Sequence, residues 1–268
     1  MRLDEARRAL ETAIGSDKVF FEALDRRSYQ DKFAVDDAAH HPAGAVSPDT
    51  VEEIQAVVRI ANEYRLPIFP IARGKNLGYG GTAPVLAGSV VMDLSRMKRI
   101  EFDEELGTVL LEPGVGFYDL YDYVQRNNLP YWLSTPGNSW GSVMGNALDR
   151  GVGYTPYGEH TKNICGLEVV LADGRIWEGL RSLRKDNTGY DLRHLFAGAE
   201  GTLGIIPAAS LKLFPAQTET ATAFVALDDP AAAIKLLRLA RRLTDDSATA
   251  FELLPRIALD IGFKNLGE

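Results

Sequence analysis

The run Arg73-Gly74-Lys75-Asn76-Leu77-Gly78-Tyr79-Gly80-Gly81 puts four glycines within eight positions and two cations beside them. Glycine alone takes positive φ repeatedly and lets the backbone approach a ligand with no Cβ in the way. Successive inward-turned N–H groups form a concave anion site, and Arg73 and Lys75 add positive charge at its rim. The ligand such a loop fits is a diphosphate; the plain alternative is a Gly-rich turn. The spacing matches neither G-x-x-x-x-G-K-[ST] nor a G-x-G-x-x-G that opens a helix. A P-loop nucleotidase and a Rossmann dehydrogenase are therefore not supported.

A second small-residue segment lies at 135–160, with glycines at 137, 141, 145, 151, 153 and 158. Alone it reads as close-packed irregular core. Together the two segments could wrap an extended ligand with a charged middle and flat aromatic ends. Among the four histidines, His160 is a candidate base because imidazole titrates near neutrality, but its setting reads better as a structural turn. His40 and His41 are adjacent, the wrong spacing for two ligands on one helix face. No cluster of His, Cys, Asp and Glu resembles a zinc site, so no metal is expected.

The elements that must hold these loops follow from periodicity. Residues 3–24 read as one or two helices. Thr50 and Glu53 form a capping-box pattern ahead of Val51, Ile54, Val57, Val58 and Ala61 on one helical face. Strands are predicted at 66–71 and 89–94, either side of the glycine loop. Hairpins are predicted at 99–102 with 108–112, and at 167–171 with 175–177 around Asp173-Gly174. A helix carries Phe117, Leu120, Tyr121 and Val124. Two short strands are expected at 203–206 and 210–214, then a strand at 222–227, a helix at 231–243, a strand at 249–254 and a last helix.

The chain has 268 residues, 46% hydrophobic and 25% charged, with net charge −8. That acidity argues against nucleic acid or an anionic membrane surface as partner. A single cysteine allows no intrachain disulfide, which suggests a reducing compartment, and no apolar run is long enough to span a bilayer. A cytoplasmic location and a small-molecule substrate are the expectation.

Several segments carry a resemblance. Residues 74–81, Leu111-Glu112-Pro113-Gly114-Val115, Trp140-Gly141-Ser142-Val143-Met144-Gly145-Asn146 and Asp149-Arg150-Gly151-Val152-Gly153-Tyr154-Thr155-Pro156-Tyr157-Gly158 resemble the vanillyl-alcohol oxidase / p-cresol methylhydroxylase superfamily. Over about 44–160 the similarity is to its 4-alkylphenol and eugenol oxidase branch. From about 167, Leu183–Leu192 and Leu195–Ile206 with Ala250–Leu253 are similar to the D-2-hydroxy-acid dehydrogenase branch (D-lactate, glycolate). The chain thus reads as a composite of two branches that share one cofactor fold.

The resemblance implies an α+β fold: a two-lobed FAD-binding domain over 1–221, with lobes at about 1–100 and 101–221. The start of an α+β cap domain would follow over 222–268. It implies that Arg73, Gly74, Lys75, Asn76, Leu77, Gly78, Gly80 and Gly81 hold the pyrophosphate of FAD. Ser142, Gly145, Asn146 and Gly151 would follow the flavin and ribityl chain, with Pro136, Gly137, Trp140, Gly141 and Tyr154 nearby. Glu200, Gly201, Gly204 and Ile205 would form the adenosine-side wall, although Ile205 reads equally as a core strand residue. Tyr154 and Tyr157 also read as packing residues.

The resemblance to the phenol-oxidising branch makes Tyr79 the candidate catalytic residue, stabilising a substrate phenolate so that the benzylic carbon becomes a better hydride donor to flavin N5; the alternative is a ring stacked on a neighbour. Gly137 stands where phenol oxidases commonly carry an acidic residue, which weakens the phenol assignment. Relatives attach flavin through the cap, so FAD is expected to be non-covalent. A homodimer, or a second polypeptide completing the cap, would be the macromolecular partner. The enzyme expected is an FAD-dependent oxidoreductase acting on 4-substituted phenols or 4-hydroxybenzylic alcohols. D-2-hydroxy acids are the alternative substrate, and a non-catalytic flavin-binding fragment or subunit is the alternative role.

Overall fold

The computed structural model describes residues 3–31, 34–75, 81–136, 140–153 and 155–266. Helices α1 (Leu3–Ile14) and α2 (Ala23–Arg27) flank a two-residue strand β1 (Val19–Phe20), where helix alone was expected. Then come β2 (Gly44–Val46), α3 (Val51–Tyr64), β3 (Ile68–Ile71) and β4 (Val90–Asp93). β4 runs parallel to both β2 and β3, and β1 adds antiparallel to β2, giving the order β1-β2-β4-β3.

Thr50 starts α3: its Oγ1 accepts the N–H of Glu53 at 3.2 Å. The capping box is displaced by one residue, since the Glu53 carboxylate accepts the N–H of Asp49 at 2.7 Å and pairs with Lys18 at 2.6 Å. Ile54, Val57, Val58 and Ala61 pack with Val46, Val90 and Met92 of the sheet. The glycine-rich loop leaves the C-terminal end of β3, the end of a parallel strand where α/β sheets seat their ligands.

The second sheet is antiparallel. Hairpin β5 (Ile100–Asp103) with β6 (Thr108–Leu111) precedes α4 (Phe117–Arg126), β7 (Tyr131–Trp132) and the short α5 (Val143–Leu148). Hairpin β8 (Ile164–Val170) with β9 (Ile176–Gly179) is followed by the turn of helix α6 (Arg193–Phe196). In place of two short strands, one strand β10 (Ile205–Lys212) fills the centre of the order β5-β6-β10-β8-β9. Pro207 has no N–H to donate, and the pairing with β8 shifts register between Ile205 and Ala208, so β10 passes Pro207 on an irregularity instead of stopping there. β11 (Phe214–Pro215) pairs with β7.

The sheets share packing. Val170 of β8 and Ile205 of β10 belong to the cluster built by α1 and α3. Two side chains of α3 also grip the β8–β9 turn, Gln55 Nε2 donating to the carbonyl of Gly174 at 2.6 Å and Asn62 Nδ2 to that of Ala172 at 2.7 Å.

Beyond residue 216 the expectation of alternating strands and helices fails. Helices α7 (Pro230–Leu243) and α8 (Arg256–Leu266) form, α7 capped by Asp229 accepting the N–H of Ala232 at 2.7 Å. The predicted strands at 222–227 and 249–254 do not: among the described residues no strand lies in 217–266. No sheet edge pairs with these apolar runs, and Phe224 is 81% exposed. Among the described residues, no helix is long and apolar enough to cross a membrane.

Candidate functional site

A cavity of about 680 Å³ lies beyond the end of β3, between it, α5 and the 196–206 segment. Fourteen of the predicted site residues line it: Arg73, Gly74, Lys75 and Gly81; Pro136; Gly141, Ser142, Gly145, Asn146 and Gly151; and Glu200, Gly201, Gly204 and Ile205. Three stretches far apart in the sequence are therefore brought to one hollow. Glycines set the spacing of its walls along β3 and the residues just after it. Gly201 sits on Pro70, Gly145 on Ala72 and Gly116 on Arg73. A Cβ at Gly145 would come within 3.3 Å of the Ala72 Cβ, and one at Gly116 within 2.8 Å of Arg73 Nη1. Gly81 behaves differently: a Cβ there would meet nothing within 4 Å, so the backbone faces open space.

Arg73 was expected to lend its charge to an anion, but that charge is already matched. Its Nη1 pairs with Asp119 Oδ2 at 2.8 Å and donates to the carbonyl of Gly114 at 2.9 Å. The same Asp119 oxygen accepts the N–H of Gly116 at 2.8 Å. Arg73 thus braces the start of α4 against the cavity wall.

Ser142 is buried at the start of α5, where its hydroxyl donates to the carbonyl of Pro113 at 2.7 Å and accepts the N–H of Gly145 at 2.9 Å. Val143 N–H to Val115 O at 3.0 Å, and Phe117 N–H to Gly141 O at 3.2 Å, join the segments flanking this serine and Pro113. The 111–115 and 140–146 motifs are therefore two halves of one clasp.

Two carboxylates face the same hollow. Asp149 follows α5, and burial first, then the charge of Glu200, pushes its pKa above the usual carboxylate range. By accessible surface the residue is exposed, and it lines the cavity. Glu200 is a non-glycine residue in the left-handed region, at φ 50°, between Gly198 at 85° and Gly201 at 78°. Such strain in a non-glycine residue costs on the order of 1 kcal/mol and concentrates at ligand sites.

His160, expected to be structural, is buried and wedged between the cavity wall and the core. Its Nδ1 meets Asn146 Oδ1 and its Nε2 lies 3.2 Å from Ser134 Oγ. Burial pushes its pKa below the ordinary imidazole value, keeping the ring neutral. The residue is not at the cavity surface, but Asn146 is.

Trp140 is not brought to the hollow: the residue is 65% exposed and its ring packs edge-on against Tyr118 of α4, centroids 5.1 Å apart. The remaining candidates, Tyr79 with Asn76, Leu77, Gly78, Gly80, Gly137 and Tyr154, lie outside the described residues. Asp149, His160, Phe69, Pro70, Val85 and Phe196 were not among the predicted site residues. Asp149 stood in a quoted motif without a role; nothing in sequence order signalled the pairing of His160 with Asn146. Among the described residues, no group of three or more His, Cys, Asp or Glu is placed to hold a metal ion.

The hollow falls within the roughly 300–1,000 Å³ of ligand pockets. Its walls approach closely because glycines stand where a Cβ would strike neighbouring protein, at Gly145, Gly151, Gly201 and Gly204, and Lys75 stands in its lining. An extended diphosphate-containing cofactor suits that wall. A family model described as FAD binding domain matches residues 42–179. The "4-cresol dehydrogenase [hydroxylating] flavoprotein subunit" of Pseudomonas putida is 45% identical over 179 residues, which are 65% of this chain and 34% of that protein. The "Probable D-2-hydroxyglutarate dehydrogenase, mitochondrial" of Oryza sativa subsp. indica is 37% identical over 226 residues, 82% of this chain and 39% of that one. Among solved structures, p-cresol methylhydroxylase with substrate bound superposes at a TM-score of 0.80 with 38% identity, covering 90% of this chain and 48% of the other. The chain thus spans between about a third and a half of the length of these relatives. It belongs to the FAD-binding domain family, and the cofactor its fold is built to take is FAD.

Proposed function

We propose that this chain is the FAD-binding part of an oxidoreductase that removes hydride from a 4-substituted phenol or a 4-hydroxybenzylic alcohol. The observation that carries this reading is the cavity beyond β3, onto which residues 73–75 and Gly81, the 141–151 segment and the 200–205 segment converge. The higher identity to the cresol dehydrogenase subunit supports the phenol class. Bound FAD supplies the hydride acceptor, flavin N5.

The residues of this chain divide the rest of the work. Gly74, Lys75 and Gly81 would hold the diphosphate. Ser142, Gly145, Asn146 and Gly151 would line the sugar chain and flavin, and Glu200, Gly201, Gly204 and Ile205 the adenosine side. Tyr79 would hold the phenolate. A second polypeptide, or a second copy of the chain, would close the substrate side; the cresol relative is itself called a flavoprotein subunit.

A second reading has its own support: the similarity to a D-2-hydroxyglutarate dehydrogenase runs over more of the chain, 226 residues against 179. On that reading the substrate is a D-2-hydroxy acid. Anaerobic titration of the flavin-loaded protein separates the two. Bleaching of the visible flavin bands by 4-(hydroxymethyl)phenol and not by D-lactate or D-2-hydroxyglutarate is expected. Bleaching by a hydroxy acid alone would move the assignment to the second class, and no bleaching by either would leave the chain a cofactor-binding fragment. Tyr79→Phe should lower the rate of bleaching by the phenol with flavin content unchanged; loss of flavin would make Tyr79 structural.

A further inference from the structure

We infer that His160 is a positioning residue of the cofactor site, acting through the amide of Asn146; this rests on the FAD reading above. Asn146 Oδ1 can only accept, so a neutral His160 next to it must carry its proton on Nδ1. Nε2 is then the acceptor and takes the hydroxyl of Ser134, 3.2 Å away. The ring is locked from both sides. His160 is 3% and Ser134 0% exposed, so water does not compete for either bond.

The consequence falls on the other end of the amide. With Oδ1 held from behind, the two N–H groups of Asn146 Nδ2 are turned away from His160. Among the described residues they make no hydrogen bond, and they are not buried. They lie against Gly151, where any Cβ would strike the amide, and both residues line the cavity. The backbone repeats the arrangement: Gly151 N–H donates to Asn146 O at 2.8 Å and His160 N–H to Gly151 O at 2.8 Å. Three residues separated in sequence therefore fix one pair of donors at the cavity surface. Those donors select a hydrogen-bond acceptor of the cofactor, either a phosphate oxygen or a carbonyl or nitrogen of the flavin.

Affinity for FAD, riboflavin and ADP, each measured separately by fluorescence or calorimetry on the purified chain, tests this. His160→Leu and Asn146→Ala should each weaken FAD about tenfold, the value of one hydrogen bond in a site. His160→Asn, whose amide nitrogen sits near the place of Nδ1, should restore most of that loss. His160→Leu made in the Asn146→Ala background should cost nothing further. Weakened riboflavin would place the donors at the flavin, and weakened ADP at the phosphates. The inference is overturned if His160→Leu folds with wild-type far-UV dichroism and binds all three ligands normally. It is equally overturned if the leucine costs the same with and without Asn146, which is the mark of packing alone. Failure of the unmutated chain to bind FAD would instead overturn the reading on which the inference rests.

Discussion

At the residue scale, charge at the cavity is arranged against simple expectation. Arg73 serves Asp119, and the titratable groups that face the hollow include two carboxylates, Asp149 and Glu200. A carboxyl whose folded pKa is raised binds its proton more tightly folded than unfolded. Ionising it therefore costs folding free energy, a cost absent below about pH 4 and complete once pH has passed the raised value. Asp149→Asn is accordingly expected to raise the thermal midpoint of the cofactor-free protein at pH 7.5 by a degree or so, and to have no such effect at pH 4. A lowered midpoint at pH 7.5 would mean that the carboxylate is held by favourable contacts that outweigh its burial. The glycines were legible because they cluster in sequence, although the close approaches they permit, Gly145 to Ala72 and Gly201 to Pro70, are tertiary. The partners of Arg73 and His160 were not, since Asp119 and Asn146 meet them across 46 and 14 residues through packing that no local pattern encodes.

At the element scale, what could be read depended on how local each cause was. The hairpins and α3 follow from turn residues, caps and 3.6-residue spacing, and they form with ends shifted by up to three residues. A strand needs a partner as well as a pattern, because the pleated surface is stabilised by its neighbours. Residues 222–227 and 249–254 have the pattern and no partner; 205–212 has two partners, and these carry it past Pro207. Pairing also creates a liability at the β8–β9 hairpin. Glu168 stands directly across from Glu178, and burial together with that like charge pushes the pKa of Glu168 up. Glu168→Gln should stabilise the protein at pH 7.5 by about 0.2–1 kcal/mol, the range for a cross-strand charge pair. Urea titration should find the gain gone near pH 4, where both states are protonated; a loss of stability at neutral pH would point to a bond that the carboxylate makes and the amide cannot.

At the scale of the whole molecule, His160 sets part of the acid limit. Its folded pKa lies below the ordinary value of about 6.5, so between the two the unfolded chain binds more protons, and stability falls as pH drops through that window. His160→Asn should flatten the fall in urea midpoint between pH 7 and pH 5 relative to the parent protein; parallel curves would mean that other groups govern the acid limb. The division into two sheets also bears on ligand capture. One wall of the hollow comes from the end of β3 in the first sheet, the other from segments flanking the second. Because Gln55 and Asn62 hold the β8–β9 turn while Val170 and Ile205 sit in the core beneath α1 and α3, the gap between those walls is set before anything enters it. A dinucleotide arriving there meets a slot of preset width, and little of its affinity is diverted into drawing the two layers together.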